Sequence, residues 1–191
     1  MAINKEQRRE WFDGDFVQQH ARAAIAFGRD EWEQSVANML TSNLIYASGL
    51  ESPLEMAFFA WWSILNSLRH MDVTMVLQEP VTIDGRTYRL DMSLYDTDKV
   101  FADQVSVSGL RMPRVAVELD GHEWHERTKE QVILRDERDR ALQAAGWCVF
   151  HVSGSAFHRD PEACVWGIYA NASKVFWDFK HQVWSSEKSP C

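Results

Sequence analysis

The chain has little of the chemistry that staples a small protein together or ties it to a membrane. Its 191 residues hold three cysteines, Cys148, Cys164 and Cys191. They are odd in number, far apart and without a Cys-x-x-Cys pair, so neither a disulfide framework nor a thiolate zinc site is indicated. No apolar run approaches the ~18 residues of a membrane span, and the charged segment from Met1 to Asp13 lacks a signal-peptide core. The expectation is a cytoplasmic protein with reduced thiols and no membrane partner. There is no Gly-x-Ser-x-Gly elbow and no phosphate-binding glycine-rich loop, which argues against the hydrolase and nucleotide-binding folds built on those motifs.

Positive charge is also short. Twenty Lys and Arg stand against twenty-eight Asp and Glu, a net charge of −8. Such a chain is not built to coat nucleic acid by bulk electrostatics, which needs local density of basic side chains. An enzyme that meets phosphate through metal ions remains open, because clustered carboxylates hold the metal and the metal supplies the positive charge.

What is present is a globular composition, 46% hydrophobic with nine tryptophans, and a length suited to one domain with an added arm. Residues 1–48 read as an arm of two or three helices, with Trp11, Phe12, Phe16, Ile25, Trp32, Val36, Leu40 and Leu44 spaced near three to four apart. After Gly49, residues Ser52, Pro53 and Glu55 have the form of a capping box and start a largely buried helix running to about Arg69. Val73 to Ile83 and Arg86 to Tyr95 flank Asp84-Gly85, a two-residue hairpin signal. The polar stretch from Asp96 to Pro113 is a loose loop or contains a short strand. Val115 to Leu119 is a buried strand ending at Asp120-Gly121. A charged helix from about His125 to Ala145, stopped by Gly146, leads to a strand from Trp147 to Val152 and a closing amphipathic helix from about Asp160 to Trp184. The order is α-β-β-β-α-β followed by a helix, an α/β fold whose antiparallel meander and helical crossover make a mixed sheet.

Three carboxylates occupy places that ask for a reason: Glu55 at the start of the first core helix, Asp91 inside the second strand and Glu118 in the most apolar strand. A carboxylate in a sheet core is costly unless it is paired or holds a metal. Alternation puts Asp120 on the face of Glu118, and a pair of this kind suits Mg²⁺ or Mn²⁺. The bland readings are an ion pair or solvent-facing position for Asp91 and a simple turn at Asp120-Gly121. Gln131, Arg135 and Arg138 share a helix face that suits backbone phosphate, although the interleaved Glu130, Asp136, Glu137 and Asp139 suit ordinary intrahelical ion pairs equally well. Trp61, Trp62, Trp147 and Trp166 read as core, while Trp124, between two histidines, is a candidate for stacking on a base.

Glu118-Leu119-Asp120-Gly121-His122, the segment from His125 to Gln131, Arg135-Asp136 with Arg138-Asp139, and Gly146-Trp147 together resemble a bacterial group of the PD-(D/E)XK superfamily related to very-short-patch-repair endonucleases. Upstream, Ser52-Pro53-Leu54-Glu55 and Tyr88-Arg89-Leu90-Asp91 resemble that group's helix glutamate and strand aspartate. The resemblance implies a restriction-endonuclease-like αβββαβ core over residues 49–191, with residues 1–48 as the arm. It implies a Mg²⁺- or Mn²⁺-dependent DNA endonuclease, in repair, restriction or defence against mobile DNA. Asp91 and Glu118 would bind the metal with the Leu119 carbonyl as a further ligand, and Glu55 would bind it through water or orient the nucleophile.

The position of the superfamily's lysine is Asp120 in this chain. The resemblance offers Lys129 or Gln131, from the following helix, and His122 and His125, as in related enzymes that use histidine, as replacements for that cation. Side chains of these types at a helix start are also ordinary surface residues. A catalytically silent module that binds DNA or a protein partner is the competing expectation, and the N-terminal helices offer a surface for a homodimer.

Overall fold

A computed structural model of the chain describes residues 5–28, 49–69, 71–98, 111–121 and 129–187. The expected helices over 29–48, most of the linker after Asp98, and His122, Trp124 and His125 lie outside the described residues. The elements in chain order are α1 (Lys5–Asp13), α2 (Asp15–Gly28), α3 (Pro53–Arg69), β1 (Val73–Ile83), β2 (Arg86–Asp96), β3 (Arg114–Asp120), α4 (Lys129–Ala144), β4 (Trp147–Ser153), α5 (Gly154–Arg159) and α6 (Pro161–Glu187). The fold is α/β with an open, mixed four-stranded sheet in the order β1-β2-β3-β4. The α-β-β-β-α-β order read from periodicity is the observed one. The short helix α5 was not foreseen; Ser153 caps it, its hydroxyl accepting from the Ala156 N–H at 3.2 Å.

The chain divides into two compact units. One comprises Met1–Met71, Leu119–Trp124 and Val152–Trp166; the other comprises Asp72–Glu118, His125–His151 and Gly167–Cys191.

In the first unit α3 is apolar almost all round. Leu54 through Leu65 are buried with only Phe59 partly exposed, as a helix surrounded by core requires. Its start is fixed by the expected capping box. Ser52 Oγ accepts from the Glu55 N–H at 3.1 Å and donates to Glu55 Oε1 at 2.9 Å, while Glu55 Oε2 accepts from the Glu51 N–H at 2.9 Å. Helix α2 packs against α3. Phe157 of α5, fully buried, lies 5.8 Å from Phe58 and 4.9 Å from the His20 ring. His20 is itself buried, and burial together with the nearby His158 holds its imidazole below the usual histidine range.

The second unit holds most of the sheet. β1 and β2 form the expected hairpin, with Asp84 and Gly85 at φ 49° and 79°, the left-handed pair that a two-residue turn of this type demands. β1 is an edge strand, which accommodates the exposed Pro80. Val81, Leu90, Ala116, Leu142 and Trp147 form one apolar cluster with Ile83, Tyr95, Ala145 and Val149, so α4 is seated on the sheet through its last turns. Arg114 locks that seat: its guanidinium donates to the Ala145 carbonyl at 2.9 Å and lies 4.5 Å over the Trp147 ring. Gly146, at φ 85°, ends α4 as expected.

The first half of α4, Lys129 to Leu134, is exposed all round, Ile133 and Leu134 included, so the helix contacts the core only through its C-terminal half. On α6 the buried stripe is Val165, Ile168, Ala172, Phe176 and Val183, at spacings of three, four, four and seven. Trp177 lies one step off that stripe and is exposed beside His181 and Trp184.

Phe157 joins α5 to α3 and α2 within the first unit. Phe157→Ala should lower the unfolding free energy by ~3–5 kcal/mol, read as an earlier urea midpoint at unchanged m-value. A loss below ~1 kcal/mol would mean that the aromatic cluster around His20 closes over the gap.

Candidate metal centre

The pairing of β2 with β3 sets the site. Met92 pairs with Val117, Ser93 with Ala116 and Leu94 with Val115. The next residues along the two strands are Asp91 and Glu118. Asp91 is half-buried, and Glu118 is 4% exposed in a strand whose Val115, Ala116 and Val117 are fully buried. Burying a lone carboxylate here would be costly. The compensating cation is Arg138 of α4, whose Nη2 lies 2.7 Å from Glu118 Oε2.

The network continues. Arg138 Nε stands 3.8 Å from Asp139 Oδ1, too long for a hydrogen bond, and Asp139 Oδ2 is 2.9 Å from His151 Nε2 on β4. Glu118, Arg138, Asp139 and His151 thus form a chain of polar and charged groups within the second unit, with Asp91 beside Glu118. Glu118 Oε1, Arg138 Nε and Asp139 Oδ1 are buried without a hydrogen-bond partner among the described residues. Such atoms are rare in a folded core and mark places where a further group is needed.

The proton balance follows from the same geometry. Burial, then the charge of Asp91, push the Glu118 carboxyl up to about 8; Arg138 pulls it down, and Asp139 adds a smaller upward push. Burial and Asp91 prevail, so at neutral pH the metal-free Glu118 carries a proton while keeping its bond to Arg138.

A strained residue adjoins the site. The ladder between β1 and β2 runs from Leu77↔Met92 to Glu79↔Leu90 and omits Gln78, which stands across from Asp91. Gln78 has φ 51°, the left-handed region, in a non-glycine residue inside a strand. That conformation costs on the order of 1–2 kcal/mol. The irregularity falls beside the strand aspartate, where bulges commonly re-aim a side chain. Neither the strain nor the pairing break has a signature in the sequence.

The structure distributes the expected site residues between the units. Asp91 and Glu118 belong to the second, where they act on each other. Glu55 and Asp120 belong to the first; both are buried, and both carboxylate oxygens of Glu55 are engaged in its helix cap. Leu119 is half-buried. Lys129 and Gln131 are exposed at the start of α4, and the cation on Glu118 comes from Arg138, about two turns further along. Arg138 was expected only as a surface or phosphate-contacting residue, and the Asp139–His151 pair was not foreseen. The one available signal was the need of a buried strand glutamate for a cation.

Among the described residues no group of three or more His, Cys, Asp and Glu side chains is arranged to hold a metal ion. Magnesium asks for less, because it keeps several waters and is commonly bound through one or two carboxylates together with a substrate phosphate. Asp91 with the unpartnered Oε1 of Glu118 fits that requirement. Comparisons with protein-family models, with curated proteins and with solved structures find no match to this chain.

Two outcomes test the local chemistry. Unfolded, Glu118 titrates near 4.5; folded, it does so near 8, so between these values the fold holds the extra proton. The stability this gives is complete below about pH 4.5 and is lost as pH rises through about 8. In metal-free urea unfolding, Glu118→Gln should remove a downward slope of up to ~1.4 kcal/mol per pH unit in that window; an unchanged slope would mean that Glu118 ionises normally in the fold. In the first unit, Ser52→Ala should cost ~1 kcal/mol by removing the cap, seen as a lower thermal midpoint by circular dichroism.

Proposed function

We propose that this chain is a Mg²⁺- or Mn²⁺-dependent DNA endonuclease of the PD-(D/E)XK superfamily, similar to the very-short-patch-repair group, acting in repair, restriction or defence against mobile DNA. The observation that carries this reading is the buried Oε1 of Glu118, beside Asp91 and without a hydrogen-bond partner among the described residues. The α-β-β-β-α-β order and the mixed sheet support a restriction-endonuclease-like core without being specific to it. Bound between Asp91 and Glu118, the metal would lower the pKa of a coordinated water and neutralise charge on the phosphate.

The chain's own residues supply the rest. Asp91 and Glu118 provide hard oxygen donors on adjacent strands; while no metal is bound Arg138 holds Glu118 through Oε2, and Oε1 has no partner among the described residues. Because Glu118 holds a proton near neutral pH in the metal-free state, metal binding displaces that proton and tightens as pH rises. The Asp139–His151 pair extends the same network to β4. Glu55, held in its helix cap, acts in this reading by fixing the start of α3. No helix among the described residues is long and apolar enough to cross a membrane.

A second reading is a catalytically silent nuclease-like module that binds DNA or a protein partner. It is favoured by Arg138, which already supplies Glu118 with a cation, and by Asp120 at the position of the superfamily's lysine. One assay separates the two: cleavage of supercoiled plasmid and of single-stranded DNA in Mg²⁺ or Mn²⁺. Cleavage by the wild type that falls at least ~100-fold in both Asp91→Ala and Glu118→Ala supports the enzyme. Absence of cleavage by the folded wild type on every substrate favours the silent module.

A further inference from the structure

The guanidinium of Arg138 is divided between two acids and satisfied by one. Its Nη2 meets Glu118 Oε2 at 2.7 Å, whereas its Nε is buried, stands 3.8 Å from Asp139 Oδ1 and has no hydrogen-bond partner among the described residues. A planar guanidinium is best matched by two parallel acceptors, as on a phosphate. The side chain is about one-quarter exposed, so it is reachable from solvent, and it extends from the C-terminal half of α4, the part seated on the sheet through Leu142. A fixed structural ion pair would satisfy both donors.

We infer that Arg138 is a placeholder cation: it occupies Glu118 while no metal is bound and, once a divalent ion takes its place there, its guanidinium binds a phosphate oxygen of the substrate. The inference rests on the reading of Asp91 and Glu118 as metal ligands. It assigns the substrate contact to a residue of α4 beyond the exposed first turns that carry Lys129 and Gln131. Electrostatics gives it a direct consequence, because a positive charge 2.7 Å from a ligand oxygen opposes entry of a second cation. Arg138 therefore weakens metal binding and strengthens phosphate binding. A merely structural side chain would move both in the same direction, through the stability of the fold.

The test is calorimetric titration of the full chain with Mn²⁺, paired with fluorescence anisotropy of a labelled oligodeoxynucleotide in Ca²⁺, for wild type, Arg138→Gln and Arg138→Lys. Arg138→Gln should bind Mn²⁺ about tenfold more tightly and the oligonucleotide about tenfold more weakly. Arg138→Lys keeps the charge but loses the fork, and so should bind Mn²⁺ like the wild type and the oligonucleotide more weakly. Should Arg138→Gln fail to fold by circular dichroism, the lysine variant carries the test, and oligonucleotide affinity equal to the wild type's overturns the inference. So does Mn²⁺ binding that requires Asp91 but is unchanged or weaker in Arg138→Gln. Absence of Mn²⁺ binding in all three folded proteins overturns the metal-site reading itself, and this inference with it.

Discussion

The second unit depends on keeping one carboxylate in the middle of its sheet. Glu118 lies in a strand whose neighbouring side chains are fully buried, and an uncompensated charge there is worth several kcal/mol of destabilisation. Two things reduce that cost, a proton retained to about pH 8 and the guanidinium of Arg138. The second requires that α4 be held in register on the sheet. The apolar contacts of Leu142, Ala116 and Trp147, with Arg114 bonded to the end of α4 and stacked on Trp147, supply that register. The helical crossover from β3 to β4 is thus what brings a cation to a buried acid.

The same acid explains why the network around it is unfinished. A core glutamate paired for stability alone would have both oxygens satisfied, as Glu55 does in its cap. Among the described residues Glu118 Oε1, beside Asp91, and Arg138 Nε have no hydrogen-bond partner, and β1 holds Gln78 in the left-handed region opposite Asp91. Strain and unsatisfied polar groups persist where they serve something other than stability. Ser93 Oγ and Trp147 Nε1 on the sheet also lack such a partner, but at Asp91 and Glu118 such atoms coincide with a buried carboxylate and a strained residue, which is why the proposed chemistry is assigned there.

Much of the architecture was legible because its signals are local. Asp84-Gly85 specifies a left-handed two-residue turn whatever surrounds it, Gly146 ends a helix by its own backbone freedom, and Ser52 and Glu55 cap α3 through bonds no more than four residues apart. The apolar run around Val117 could only be a buried strand, and the presence of Glu118 within it already required a partner. Trp177 shows the limit of periodicity: one position off a helical stripe turns a core residue into an exposed one, and the sequence does not fix the stripe's angle.

What the sequence alone determined is the order of elements, their turns and caps, and the two acids Asp91 and Glu118 in the second and third strands. Only the tertiary structure decided that the register of β2 and β3 sets these acids side by side, which cation meets Glu118, that Asp139 and His151 extend the network, that Gln78 is strained beside Asp91, and that both oxygens of Glu55 serve its cap. The physical reason is separation along the chain. Turns, caps and strand patterns are set by residues a few positions apart, whereas the partner of a buried charge is set by how a helix settles on a sheet, and that depends on the whole set of apolar contacts at once.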